Sequence, residues 1–355
     1  MSRPNSLIFR AGPGAIRMIR ERGFSPDMIG TLAGASGGAK WLILSQLDRV
    51  VATEILPKLV GPVFTIGTSI GAWRFACYAQ RDPVAAIERF EEAYLSQTYS
   101  EKPDRFEITE KSMEILDLVF GKDGVEEVLS HPIIRTNVMT VRSKHLGQSE
   151  NRGLLASSLL AAAVANAVSR KTLGSFFERA LFHDDRDKPP FFELEGFPLH
   201  QVPLTAANLK PSILATGSIP LVLSGVRDIE GAPPGVYRDG GVIDYHLDLP
   251  HSYEERLTLY LHFIDRIVPG WFDKSLKHRR PQPEHVDRTL LICPSRSFVA
   301  TLPEQKIPDR KDFAAYPPDV RERNWRVVVD RCTELADELN EVIASGKLAD
   351  RLEPI

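Results

Sequence analysis

Short uncharged runs alternate with longer amphipathic stretches through the first third of the chain. Residues 29–33 and 63–66 carry no charge, the pattern of strands covered on both faces. Stretches with helical spacing follow them at 41–55, 72–80 and 83–95, the last with its charges on one side. Strands that alternate with helices predict a largely parallel sheet sandwiched between helical layers, a three-layer α/β/α fold. Residues 100–190 read as mainly helical, with 137–141 as a strand and the polar, proline-bearing stretch 184–190 as a loop. Strand-rich segments follow at 201–226, 257–264 and 289–293, and 324–343 reads as a closing helix.

At 355 residues and 43% hydrophobic, the chain can bury a sizeable core. Lys plus Arg number 44 and Asp plus Glu 47, a net charge of −3 that argues against a general nucleic-acid binder. Cys77, Cys293 and Cys332 are sparse and lack metal-ligand spacing, which fits buried thiols in a reducing compartment. The opening residues lead only to the short apolar run Leu7-Ile8-Phe9, so no secretory signal is expected. The longest apolar run, 154–168, is too short to span a bilayer. A soluble cytoplasmic protein, at most peripheral to a membrane, is the expectation.

Candidate chemistry centres on Gly67-Thr68-Ser69-Ile70-Gly71, which lies between a strand and a helix. Such a turn presents a serine hydroxyl at the edge of a sheet with a helix N-terminus behind it. Gly34-Ala35-Ser36-Gly37-Gly38-Ala39-Lys40 also sits between a strand and a helix. Its glycine-rich backbone offers N–H groups to an anion or oxyanion, and it lacks the spacing of a phosphate-binding Walker loop. Asp239 precedes Gly240 and Gly241, where the chain can bend to face a carboxylate inward. Ser36 also lies in a G-x-S-x-G pattern and is the rival nucleophile. That choice would make Gly12-Pro13-Gly14 the oxyanion loop, and Pro13 has no N–H to give. His246, seven residues after Asp239, leaves a Ser-His-Asp triad open.

Together these segments resemble the patatin-like phospholipase family. The matching elements are Ser36-Gly37-Gly38-Ala39-Lys40, the G-T-S-x-G-A turn at 67–72, Ala215-Thr216-Gly217-Ser218-Ile219-Pro220, and Asp239-Gly240-Gly241, in that order. They cover roughly residues 29–250. The chain departs from the family pattern at Trp41, where a further glycine is usual, and after Gly241, where it reads Val242-Ile243-Asp244. The resemblance implies a Ser-Asp dyad without histidine. Ser69 would attack an acyl ester, Asp239 would take its proton, and the amides of Gly37, Gly38 and Ala39 would hold the oxyanion. Lys40 and Ile70 would support the site. It implies no metal or organic cofactor.

On this reading residues 1–355 form one domain, with a family-like core at about 29–250, a mainly helical insertion at about 100–190 and a closing helical segment at about 320–347. The expected partner is an acyl-lipid substrate, with peripheral membrane contact through the basic cluster 274–280 beside Trp271 and Phe272. The other reading is a catalytically silent module that binds lipid or protein.

Overall fold

The computed structural model describes residues 5–355. Residues 1–4, on which the reading of the N-terminus partly rests, lie outside the described residues. The strands are β1 (Leu7–Ala11), β2 (Ile29–Gly34), β3 (Val63–Gly67), β4 (Ile134–Arg135), β5 (Asn137–Ser143), β6 (Phe177–His183), β7 (Leu199–Pro203), β8 (Val226–Arg227), β9 (Val236–Asp239), β10 (Leu257–Leu261), β11 (Thr289–Pro294) and β12 (Leu352–Pro354). They form one mixed, mostly parallel sheet in the order β12-β1-β11-β10-β2-β3-β5-β6-β7, within a three-layer α/β arrangement.

At the centre of the sheet β2 and β3 are parallel and joined by a helical crossover, and β10 pairs in parallel with the other edge of β2. All six residues of β2 and all five of β3 are buried, as their uncharged sequence predicts. Gly34 pairs with Gly67, so both strands end at the same level. The segments that follow leave from one edge, where open α/β sheets bind ligands.

β5 sets the rest. It runs parallel to β3 and meets it at Gly67 opposite Val138, then continues beyond the end of β3. One edge of β5 is paired along its length with β6, from Asn137 to Ser143. Its other edge, above β3, takes β9 in the antiparallel sense, with Thr140 opposite Asp239. β9 therefore descends in the lane that β3 ascends, and the two strands meet end to end.

Several expectations need correction. The segment 201–226 contains the helix Leu209–Gly217, whose residues are buried nearly all round because it packs against β5, β9 and the helix Ile70–Tyr78. An all-round apolar helix carries no 3.6-residue period to read. Within 100–190, β6 was expected as helix. Glu178 and Arg179 break its apolar pattern, and Arg179 is buried all the same because Asp244 neutralises it. The closing helix is two, Pro318–Arg331 and Thr333–Ser345. The expected helix at 41–55 is irregular: a 3-10 stretch Gly38–Leu44, an α-helical turn Ser45–Val50 and a π turn Val51–Ile55.

That irregular segment is pinned by a buried ion pair. Arg74 donates from Nε to Asp48 Oδ2 at 2.8 Å and from Nη2 to Oδ1 at 2.5 Å, and the Tyr78 hydroxyl donates to the same Oδ1 at 2.6 Å. Trp41 turns into the core and stacks on Phe90 at 4.4 Å. Breaking one side of a buried pair leaves a charge without compensation, at a cost of about 3–5 kcal/mol. Asp48→Leu should lose that much in urea unfolding. Adding Arg74→Met should recover most of the loss.

Candidate active site

Ser69 is the residue between β3 and the helix Ile70–Tyr78, and it adopts φ +52° and ψ −130°. A non-glycine residue in that region is held there by its surroundings. Its N–H donates to Thr216 Oγ1 at 2.9 Å, and the Thr216 hydroxyl donates to the Met139 carbonyl on β5 at 2.5 Å. The turn also needs Gly71. A Cβ there would sit 2.0 Å from the Gly34 carbonyl oxygen at the end of β2. This close approach brings the loop after β2 alongside Ser69, where both line one cavity.

That loop carries Ser36, Gly37 and Gly38. Gly38 has φ +55°, which favours glycine, and opens the 3-10 stretch Gly38–Leu44. The first N–H groups of a helix have no acceptor within it, so those of Gly37, Gly38 and Ala39 are not used by the helix. The Ala39 side chain itself lies in the core. The Ile70 N–H likewise opens the helix behind Ser69.

Asp239 is the last residue of β9 and faces the same space. Its Oδ1 accepts the Gly241 N–H at 2.7 Å and lies 3.4 Å from the Ser36 hydroxyl. The single Ser36 proton is shared between this contact and Thr68 Oγ1 at 3.1 Å. Burial pushes the Asp239 carboxyl up from its ordinary value near 3.8 to about 6. The Gly241 N–H, the Ser69 and Ser36 hydroxyls and the Lys274 charge oppose the rise without cancelling it.

Ser69, Asp239, Gly37, Gly38 and Lys40 line one cavity of about 190 Å³ with Ser36, Gly241, Ile219, Tyr245, Trp271, Lys274 and residues 309–311. A second cavity of about 190 Å³ adjoins it and shares Gly38, Ser69, Ile219 and Arg310. Its other walls are mainly apolar, among them Ile70, Trp73, Ile108, Ile115, Leu223 and Phe313. Lys40 supports the rim by pairing with Asp309 at 2.9 Å. Trp41 lines neither cavity.

Ser36 lacks the left-handed conformation of Ser69, and its hydroxyl points at Asp239 and Thr68. His246 is fully buried outside the cavity. Its Nδ1 accepts the Val268 N–H at 3.0 Å, and its ring stacks on Tyr245. Burial holds it well below 6.5, so it stays neutral. Asp244 and Asp248 are buried. Arg179 holds the first at 2.7 and 2.8 Å, and His285 and the Gln282 N–H bind the second. In the basic cluster 274–280, Lys274, Lys277, His278 and Arg280 are exposed and Arg279 is partly buried. The Lys274 ammonium stands 4.0 Å from the Tyr245 ring centre, Arg279 pairs with Asp273, and Phe272 packs on a small core beside the site.

Sequence reasoning missed Thr216, Lys274, Tyr245 and residues 309–311. Thr216 lay within a quoted motif, but nothing there signalled its bond to Ser69. The others come from loops distant in the chain. Among the described residues there is no cluster of three His, Cys, Asp or Glu that could hold a metal, and no helix long and apolar enough to cross a membrane.

No protein-family model and no curated protein matches this sequence. Among solved structures, the chain is similar to VipD from Legionella pneumophila at 11% identity and a TM-score of 0.32. The alignment covers 74% of this chain and spans about half the length of that one, 54%.

The buried carboxyl yields a direct test. A carboxyl whose pKa rises on folding favours the fold below its unfolded pKa, and this contribution is lost as pH rises through the folded value. Asp239 should therefore titrate near 6 by carboxyl-carbon NMR, and higher in Lys274→Gln, where a favourable charge is gone. Asp239→Asn should stabilise the protein above pH 6 by up to about 3 kcal/mol, and have little effect at pH 3.5.

Proposed function

We propose that this chain is a patatin-like serine hydrolase of fatty-acyl esters, of the phospholipase A or lysophospholipase type. One observation carries the reading. Ser69, held in a strained turn at a helix N-terminus, shares a cavity with a carboxylate of raised pKa and with the Gly37 and Gly38 backbone. The second, apolar cavity opening at Ser69 suits an acyl chain.

In this mechanism the Ser69 Oγ attacks the ester carbonyl while Asp239 takes its proton. A carboxylate that titrates near 6 is a stronger base than an ordinary aspartate, and is still mostly ionised at pH 7. The oxyanion gathers N–H groups of Gly37, Gly38 and Ala39, with Ile70 behind Ser69. Asp239 returns the proton to the departing alcohol, leaving the acyl group on Ser69. Water activated by the same carboxylate then releases the fatty acid. Ser36 positions Asp239, and Thr216 fixes the strained turn. Because Trp41 lies in the core, its departure from the family pattern gives no reason to read the module as silent.

Hydrolysis of a short-chain p-nitrophenyl ester tests this. Ser69→Ala and Asp239→Asn should each abolish turnover, and the double variant should be no worse than either. Ser36→Ala should retain activity at a reduced rate. Activity of the unaltered protein should fall as pH drops through about 6, because protonation removes the base. Loss in Ser36→Ala with full activity in Ser69→Ala would overturn the assignment.

We infer that the helix Arg152–Val168 adds a second surface for membrane contact beside the 274–280 cluster. From Gly153 to Ser169 the chain carries no charge. The outward face leaves Leu160 67%, Val164 63% and Val168 84% exposed. Exposed Arg152, Lys171, Lys277 and Arg280 flank it, and the helix is tied to the Trp271–Asp273 turn by Asn166 Nδ2 donating to Asp273 at 2.8 Å. An apolar stripe with basic ends fits an anionic bilayer surface. Replacing Leu160, Val164 and Val168 with serine should weaken binding to phosphatidylglycerol vesicles and spare hydrolysis of the soluble ester. Unchanged vesicle binding would overturn the placement.

A further inference from the structure

We propose that the Tyr245 hydroxyl is a further catalytic group, donating a hydrogen bond to the alcohol oxygen of the ester as that oxygen leaves. The proposal rests on the Ser69–Asp239 reading and adds to it a group that acts on the departing alcohol.

The two cavities fix which side of the ester each residue meets. Ser69 and Gly38 line both, so the reacting carbonyl belongs at their junction. With the acyl chain in the apolar cavity, the alcohol lies in the polar one. Asp239 and Tyr245 line that polar cavity and not the apolar one. Asp239 has two tasks there: it takes the Ser69 proton and returns it to the alcohol oxygen. Negative charge builds on that oxygen as its bond to the carbonyl carbon breaks. A fixed donor beside it lowers the barrier without giving up its own proton. In this step the ester C–O bond breaks, the proton held by Asp239 passes to the alcohol oxygen, and the Tyr245 O–H bond stays intact.

Tyr245 has the properties of such a donor. The residue is only 8% exposed, and among the described residues its hydroxyl has no hydrogen-bond partner. The Ser36 hydroxyl in the same lining is by contrast engaged with Thr68 and Asp239. A hydroxyl withdrawn from water is costly unless the space it faces supplies a partner. Its backbone is fixed at both ends. The Tyr245 N–H donates to the Pro269 carbonyl at 2.9 Å, and the Tyr245 carbonyl accepts the N–H of Ser36, next to Gly37, at 3.0 Å. The ring stacks on His246 with centres 4.3 Å apart. The donor and the oxyanion loop are therefore tied together. Burial raises the phenol pKa, the negative charges of Asp239 and Asp309 add to the rise, and Arg310 opposes it; all three residues line the polar cavity. The hydroxyl thus keeps its proton and can act only as a donor. Lys274 is the rival for this role, but it is exposed and its ammonium stands 4.0 Å from the Tyr245 ring centre.

Esters of one acid with different alcohols test the role, because the need for a donor grows with the basicity of the departing oxygen. kcat/KM would be measured for p-nitrophenyl, phenyl, trifluoroethyl and ethyl butanoate in the unaltered protein and in Tyr245→Phe. The ethyl ester should lose about 10- to 100-fold in the variant, the weight of one hydrogen bond to a charged group, and the p-nitrophenyl ester less than about threefold. The other two should fall between them in order of leaving-group basicity. Thermal unfolding of Tyr245→Phe should match that of the unaltered protein, since the ring is kept and the hydroxyl has no partner to lose. An equal loss across the series, no loss with any ester, or a lowered melting temperature would overturn the proposal. So would a graded loss that appears in Lys274→Gln and not in Tyr245→Phe. Failure of the Ser69–Asp239 reading shows separately, as a Ser69→Ala variant that hydrolyses the esters as well as the unaltered protein does. An unaltered protein that hydrolyses none of them overturns both.

Discussion

Two strands sharing one edge of β5 is the constraint on which the site depends. A strand has two hydrogen-bonding edges, and β6 occupies one of β5's completely. β3 can pair with the other edge only at its base, at Gly67, and β9 takes what remains. Both strands must stop where they meet. Their backbone groups then need other partners, and the chain meets this demand with turns rather than more ladder. Ser69 and Asp239 stand at those two turns. The Ser69 N–H goes to Thr216, and the Asp239 N–H to the Ser218 carbonyl at 3.1 Å. Both partners come from the end of the helix Leu209–Gly217, so one element holds the two turns in register.

The same abutment creates the electrostatics. A carboxylate at the inner end of a strand is cut off from water, and its charged form becomes costly. One backbone N–H, nearby hydroxyls and the Lys274 charge compensate Asp239 only in part, so its pKa stays raised. Asp244, five residues later, shows the contrast: Arg179 and Arg170 surround it, and it acts as a structural anchor. Two buried aspartates on neighbouring turns thus have different roles, set by whether an arginine reaches them.

The main strands and helices of residues 29–96 were legible because their signals are local. Uncharged runs make central strands, and a Gly-x-Ser-x-Gly stretch between a strand and a helix leaves few backbone conformations. The rest was hidden for identifiable reasons. β6 contains a buried arginine that reads as surface. The helix Leu209–Gly217 is buried all round and shows no period. β12 is a three-residue edge strand that exists only because β1 is there to pair with it.

The sequence by itself determined the strained serine turn, the glycine loop and the aspartate before two glycines, because each is a local backbone requirement written in adjacent residues. Tertiary structure alone decided that Ser69 and Asp239 face one cavity, since that follows from which edge of β5 each strand takes. It also decided the surroundings. Lys274, read as part of a surface cluster, is exposed and also lines the cavity beside Tyr245, and His246 was open as a catalytic residue and instead is sealed in the core. A residue's charge is fixed by its type, but its partners and its access to water are fixed by what folds against it.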